Sequence, residues 1–244
     1  MSRGVRVVLA GLGGLGAAGL FRATPALVGL SAFNTRIAPR LVGCGRRDHV
    51  AMTFDDGPDP DSTPAFLDAL ERLGWHATFF MLGDSARRSP ELVTAVARAG
   101  HEVAVHGDVH RSMLYRAPLA VRDDIHRCRD TLAELTGAQP EWFRPPYGMM
   151  TVDAMRGARR AGLTPVLWTN WGRDWRQRAT SAAVINDVMK RNVSGATVLL
   201  HDSDLYSTPG SWRTTLAALP RLAEEFARQG LVVGRLRDHD VAPW

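Results

Sequence analysis

From His49 onward, short runs rich in β-branched and aromatic residues alternate with longer stretches carrying helix punctuation, and this rhythm restricts the fold more than any other feature. The strand-like runs fall at 50–54, 77–82, 102–105, 142–144, 165–169, 197–200 and 231–236. Helical stretches at 66–73, 91–99, 118–136, 151–161, 181–191 and 211–229 separate them. Several open on a capping residue followed by proline (Ser62 or Thr63 with Pro64, Ser89 with Pro90), and Gly74, Gly100, Gly137, Gly162 and Gly230 stand just past helix ends. Proline in the first turn and glycine beyond the last is the asymmetry expected of real helices. Pro220, inside the last one, is expected to kink or divide it. Strand–helix alternation argues for parallel strands wrapped by helices. Seven units predict an α/β protein built as a distorted seven-stranded (β/α) barrel, TIM-barrel-like.

A barrel of this kind fits in one domain of a 244-residue chain. The net charge of +5 suggests an anionic partner until it is located: residues 1–47 hold seven arginines and no acid, which leaves the rest of the chain slightly acidic. A nucleic-acid partner needs a basic face on the domain itself and is not expected. Cys44 and Cys128 have no metal or redox spacing.

Residues 1–47 read as a basic, apolar leader and 48–244 as the catalytic domain. Behind Arg3 and Arg6 lies an uncharged stretch at 7–21, which has the form of a secretory signal and is short for a membrane span of about 20 residues. A second apolar stretch at 23–35 could prolong an anchor or pack on the domain. Export, or membrane attachment through residues 1–35, is therefore expected, with the cell envelope as the place of action and a monomer as the assembly. Gly11, Gly13 and Gly16 imitate a dinucleotide-binding turn, but the acid that should follow about 20 residues later is missing before Asp48.

The polar residues gain meaning from the barrel. Thr53-Phe54-Asp55-Asp56-Gly57-Pro58 puts two carboxylates at the end of the first strand, His106 ends the third, Arg144 the fourth, Asp174 follows the fifth and His201 ends the sixth. In a parallel barrel these ends open on one face, where active sites sit. His106 and His110 could share a helix face or a loop curled by Gly107; either way two imidazoles could reach one ion with a carboxylate as third ligand. His201 suits proton transfer. Arg144, between Phe143 and Pro145, needs a carboxylate partner, for which Asp55 is the candidate. A backbone N–H near Tyr147 could face an oxyanion. His49, His76, His101, His126 and His239 read as structural or exposed, and Trp142, Trp168 and Trp212 as core or interface.

In these residues the chain resembles the polysaccharide deacetylases, carbohydrate esterase family four or the NodB-like domain, over about residues 49–237 and five ordered motifs. The resemblance implies Asp55 as catalytic base and Asp56, His106 and His110 as ligands of a divalent metal, zinc above all, with Co2+ or another divalent ion possible. Arg144 would hold the base, and Tyr147 would supply an oxyanion N–H and line the substrate site. Asp174 would tune His201, the general acid, while Trp175 and Leu199 would wall the acetyl pocket. Gly107 and Val105 depart from the family pattern, so the bonds steadying the histidine loop should differ, and Trp171 stands where the fourth motif often begins with aspartate.

The function implied is metal-dependent hydrolysis of N-acetyl groups on a polysaccharide such as peptidoglycan or a chitin-like polymer of N-acetylglucosamine. Hydrolysis of O-acetyl-xylan or of a small amide would use the same site. A rival of another class is a non-haem Fe(II) oxygenase, with His106, Asp108 and His201 as its facial triad and Arg213 for an oxoacid. A barrel that binds saccharide without turnover is a third reading.

Overall fold

The computed structural model describes residues 22–26 and 34–241, so the apolar run at 7–21 and its glycines lie outside the described part. The strands are β1 (His49–Asp55), β2 (Thr78–Leu82), β3 (Glu102–Gly107), β4 (Trp142–Phe143), β5 (Thr164–Pro165), β6 (Asn170–Trp171), β7 (Thr197–His201) and β8 (Val232–Gly234). The principal helices are α1 (Thr63–Leu73), α2 (Gly83–Arg88), α3 (Pro90–Arg98), α4 (Pro118–Thr136), α5 (Val152–Arg160), α6 (Ser181–Met189) and α7 (Ser211–Arg228). All strand pairs are parallel in the order β5-β4-β3-β2-β1-β7-β6, with β8 added beside the first half of β1.

Alternation along the strands explains both faces of this curled sheet. Val50, Met52 and Phe54 of β1, with Phe79 and Met81 of β2, point outward into the large core beneath the helices. Ala51, Phe80, Ala104, Trp142, Val166 and Leu236 form a second, smaller cluster inside the barrel. Above that plug, the same inward rows continue as Thr53 and Asp55 on β1, His106 on β3 and His201 on β7, and the register sets Asp55 beside His201. Polar residues thus occupy the inner rows only near the strands' C-terminal ends and at the opposite base.

Three expectations needed correction. The single strand at 165–169 is two short ones, β5 and β6, on opposite edges of an opening in the barrel wall. The chain crosses that opening at 166–169 and takes partners outside the ladder: Leu167 N–H donates to Leu41 C=O (2.6 Å) and Thr169 N–H to Thr197 C=O (3.0 Å). Thr197 Oγ1 also donates to Gly43 C=O (2.6 Å), and Leu41 and Val42 are buried, so residues 41–43 caulk the gap and satisfy its backbone. Second, Pro220 neither breaks nor divides α7; it sits on the exposed side, while Ala218, Leu219, Leu222 and Phe226 stay packed. Third, the short helix α2 was not foreseen. The cap signals held in part: prolines open α1 and α3, but Ser62 and Ser89 make no side-chain cap bond, whereas Thr151 and the unforeseen Thr180 accept from Ala154 and Ala183 N–H, and Gly74 and Gly137 close α1 and α4 in left-handed conformations.

Candidate active site

The strand ends open into a cleft of about 330 Å³ lined by Asp55, Asp56, His106, His110, Tyr147 and His201 among others. Asp56 lies just past β1 with a left-handed backbone (φ 82°), unusual for a residue with a side chain. That turn swings its carboxylate toward the two histidines. Asp56 Oδ1 stands 3.2 Å from His106 Nε2 and 3.1 Å from His110 Nε2, and one donor atom from each of the three side chains lies within 4.8 Å of the others. His106 Nδ1 donates to the Arg144 carbonyl (2.9 Å), which leaves Nε2 as the lone-pair nitrogen facing Asp56. Burial works against ionising Asp56, yet the adjoining imidazoles of His106 and His110, with His201 across the cleft, hold its carboxyl well below the usual carboxylate range.

This donor set suits a divalent ion. Two imidazoles and a carboxylate converge, one imidazole is locked in its ligating tautomer, and Asp56 Oδ1 has no hydrogen-bond donor in the protein. Among the described residues it is the sole cluster with such spacing.

Arg144 is completely buried and rests on the face of the Phe80 ring, 4.0 Å from its centroid. Its guanidinium donates to Asp55 Oδ1 (2.7 Å), Thr53 Oγ1 (2.8 Å) and Leu167 C=O (2.8 Å), so the partner expected from sequence is the one observed. With Oδ1 so engaged, Asp55 Oδ2 faces the cluster, 3.9 Å from His106 Nε2.

On the opposite wall, Asp174 accepts from the His201 backbone N–H (2.8 Å) and pairs with His201 Nδ1 (2.9 Å), while Thr215 Oγ1 donates to the same carboxylate (2.8 Å). Burial alone would lower the His201 pKa, but Asp174 first, and then Asp56 and Asp55, push it up to about 10. Its Nε2 points into the cleft, 4.0 Å from Asp56 Oδ2. The Trp175 ring meets His201 edge-on at 5.4 Å, and Leu199 and Tyr147 complete the lining. Tyr147 has a left-handed backbone (φ 60°) in the turn after β4. The sequence-predicted site residues therefore all meet at this one mouth.

Others were missed. Tyr206 stacks on His110 with ring centroids 4.2 Å apart, and the Tyr147 ring meets the same imidazole at 4.4 Å, tilted by 57°. Trp168, read from sequence as core or interface, lines the cleft, as do Trp171 and Ser207. For Tyr206 and Ser207 the only signal was a position shortly after the strand that ends at His201. The histidine loop is steadied from α4: Asp124 accepts from Asp108 N–H (2.8 Å) and from Arg116 (2.6 Å). Gly107, at φ 109°, has no room for a side chain because a Cβ would lie 2.9 Å from that same Asp124 carboxylate.

The oxygenase triad does not assemble. Asp108 pairs with Arg87 (2.7 Å) and Arg127 (3.1 Å) and is not part of the cluster, while Arg213 lies over the Trp212 ring. Of the histidines read as structural, His49, His101 and His239 are buried at the other end of the barrel, where His49 Nδ1 meets His239 Nδ1 at 2.8 Å.

Known proteins match in the same terms. The family model for polysaccharide deacetylase matches residues 43–166. A peptidoglycan-N-acetylglucosamine deacetylase of Bacillus cereus is 36% identical over 184 residues, covering 74% of this chain and 83% of that protein. A chitooligosaccharide deacetylase of Bradyrhizobium sp. is 35% identical over 173 residues, 70% of this chain and 77% of the relative. The solved structure of a family 4 carbohydrate esterase from Streptomyces lividans in complex with acetate superposes with a TM-score of 0.70 at 34% identity, covering 82% of this chain and all of that one. In sequence and in backbone alike, the chain belongs to the polysaccharide deacetylase family.

Proposed function

We propose that this hydrolase removes N-acetyl groups from a cell-envelope polysaccharide of the peptidoglycan or chitooligosaccharide kind, outside the cytoplasm. The observation that carries the reading is the meeting, in one cleft, of the Asp56–His106–His110 cluster with an arginine-held Asp55 on one side and an aspartate-held His201 on the other. Asp56, His106 and His110 would hold a divalent ion, zinc being the best match to that donor set, and the ion supplies Lewis acidity toward a water and an acetyl carbonyl oxygen.

Asp55 accepts the proton of the attacking water through Oδ2, the oxygen that Arg144 leaves uncovered. The buried guanidinium fixes that carboxylate and balances its charge. The backbone N–H of Tyr147 donates to the developing oxyanion. His201, with Nδ1 tied to Asp174, donates its Nε2 proton to the departing nitrogen and is reprotonated from solvent, to which Asp55 gives up the proton it took. Trp175 and Leu199 wall the acetyl methyl group against water.

Acetate release from peptidoglycan, chitooligosaccharides and acetylxylan, with and without chelator, tests this reading. Chelator-sensitive release from an N-acetylated polymer is expected. Release from acetylxylan alone would make the protein an O-acetyl esterase, and oxoglutarate-dependent oxygen uptake with iron would revive the oxygenase. No helix among the described residues is long and apolar enough to cross a membrane, and the anchoring role expected of residues 1–35 is tested by fractionating cells that express the full chain.

A further inference from the structure

The two imidazoles of the candidate metal centre are held in different ways. His106 is fixed by a hydrogen bond, from Nδ1 to the Arg144 carbonyl at 2.9 Å. His110 has nothing equivalent: its side chain is 5% exposed, and its Nδ1 is sealed from solvent with no hydrogen-bond partner among the described residues. A metal-ligating histidine ordinarily gives its second nitrogen to a carboxylate, a carbonyl or a water, which sets the tautomer and the orientation of the ring. Without that bond the imidazole keeps its rotation about Cβ–Cγ, a torsion with broad and shallow preferences.

What lies flat against the His110 ring is Tyr206. The two planes are inclined by 24° at a centroid separation of 4.2 Å, whereas the Tyr147 ring is tilted by 57° and meets the imidazole at a slant. A flat contact of this kind blocks the rotation that the missing hydrogen bond leaves open. Tyr206 is itself carried by a fastened loop between β7 and α7. Ser203 Oγ donates to Asp59 Oδ2 (3.0 Å) and accepts from Leu205 N–H (3.1 Å), and Asp202 Oδ2 accepts from Thr63 Oγ1 (2.7 Å). Thr63 Oγ1 in turn accepts from Asp59 N–H (2.9 Å). These bonds join the loop to the turn after β1, the same turn that presents Asp56. Arg88 of α2 also donates to the phenol oxygen.

We propose that Tyr206 is a positioning residue of the metal centre: its ring does for His110 what the Arg144 carbonyl does for His106, and so aims Nε2 at Asp56. The inference rests on the reading of Asp56, His106 and His110 as metal ligands. It deepens that reading by naming His110 as the donor whose aim depends on the loop between β7 and α7.

The test is the zinc affinity of the metal-free full chain, measured by competition with a chromophoric chelator. The absorption spectrum of the Co2+-loaded protein, whose d–d bands report the donors and their geometry, is recorded beside it. Y206A should weaken zinc binding about tenfold, the lower end of the effect of removing a ligand's outer partner. It should also shift the cobalt spectrum toward that of H110A. Y206F keeps the ring face and loses only the bond to Arg88, so its affinity and spectrum should stay those of the unaltered protein. Y206L keeps bulk without a flat ring and should behave as Y206A; because Tyr206 is 39% exposed, neither variant opens the core. Zinc affinity and cobalt spectrum unchanged in Y206A would overturn the positioning role. Retention of both by Y206L would reduce Tyr206 to a filler of space, and a Y206F as weak as Y206A would credit the Arg88 bond in place of the stack; either result sinks the inference. If the unaltered protein binds neither zinc nor cobalt, the metal-centre reading falls with it, whereas equal binding by that protein and Y206A overturns this inference alone.

Discussion

The two ends of the barrel both draw histidines out of bulk water and put them to opposite use. At the mouth, His106, His110 and His201 each face a carboxylate, and the pKa of His201 rises to about 10 through Asp174. At the base, His101 and His239 have no such partner. Burial first, then a neighbouring histidine, drives both down to about 4, and His49 is lowered too by burial and Arg46. Burial alone therefore makes a neutral histidine that serves as packing. A carboxylate within about 3 Å converts the same buried ring into a ligand or a charged acid.

The largest effect expected from breaking this contrast is chemical. H201A or D55N should lower acetate release by about 10² to 10⁴, the usual scale for an acid or base group. Full activity in either variant would falsify the assigned roles. D56A should abolish stoichiometric binding of zinc in equilibrium dialysis, a readout independent of turnover.

Next comes stability. R144M should cost about 3–5 kcal/mol in denaturant titration, because it strands Asp55 as an unpaired buried charge. The double variant D55N/R144M should recover part of that loss, and additivity of the two would deny their coupling.

D174N turns a mouth histidine into one more like those at the base. The His201 pKa should drop toward or below its ordinary 6.5, so that His201 loses its proton at a lower pH and the alkaline limb of the rate profile moves downward. A profile identical to that of the unaltered protein would remove Asp174 from the tuning role.

The smallest effect belongs to the base. His101 and His239 have folded pKa values below the unfolded 6.5, so the unfolded chain binds more protons between about 4 and 6.5. Their share of stability is complete above 6.5 and is lost as pH falls through that window. H101Q should flatten the acid side of a profile of unfolding free energy against pH, measured by denaturant titration, by about 1–3 kcal/mol, and an unchanged slope would show that the base does not titrate as its burial implies.

Much of this architecture was legible before any coordinates. Strand–helix order, the helix starts at Thr151 and Ser181 and the glycine stops after α1 and α4 are local signals, written within a few residues of where they act. The side chains of the candidate site were legible for a related reason: in a parallel barrel every strand's C-terminal end faces one mouth, so a strand assignment is also a site assignment. The partnership of Arg144 with Asp55 followed from the cost of burying a guanidinium alone.

What the chain's pattern left open were pairings between residues distant in sequence. Nothing near Asp108 announces that Arg87 and Arg127 neutralise it and so remove it from the oxygenase triad. Nothing near Leu41 announces that its carbonyl would close the gap between β5 and β6, and Tyr206 gave no hint of its stack on His110. The sequence by itself determined the elements, their parallel sense and the mouth where the chemistry gathers, since these depend on periodicity and on local backbone preference. Tertiary structure alone decided which buried charge meets which counter-charge and which loop covers which imidazole, because those energies depend on distances set only once the sheet has curled.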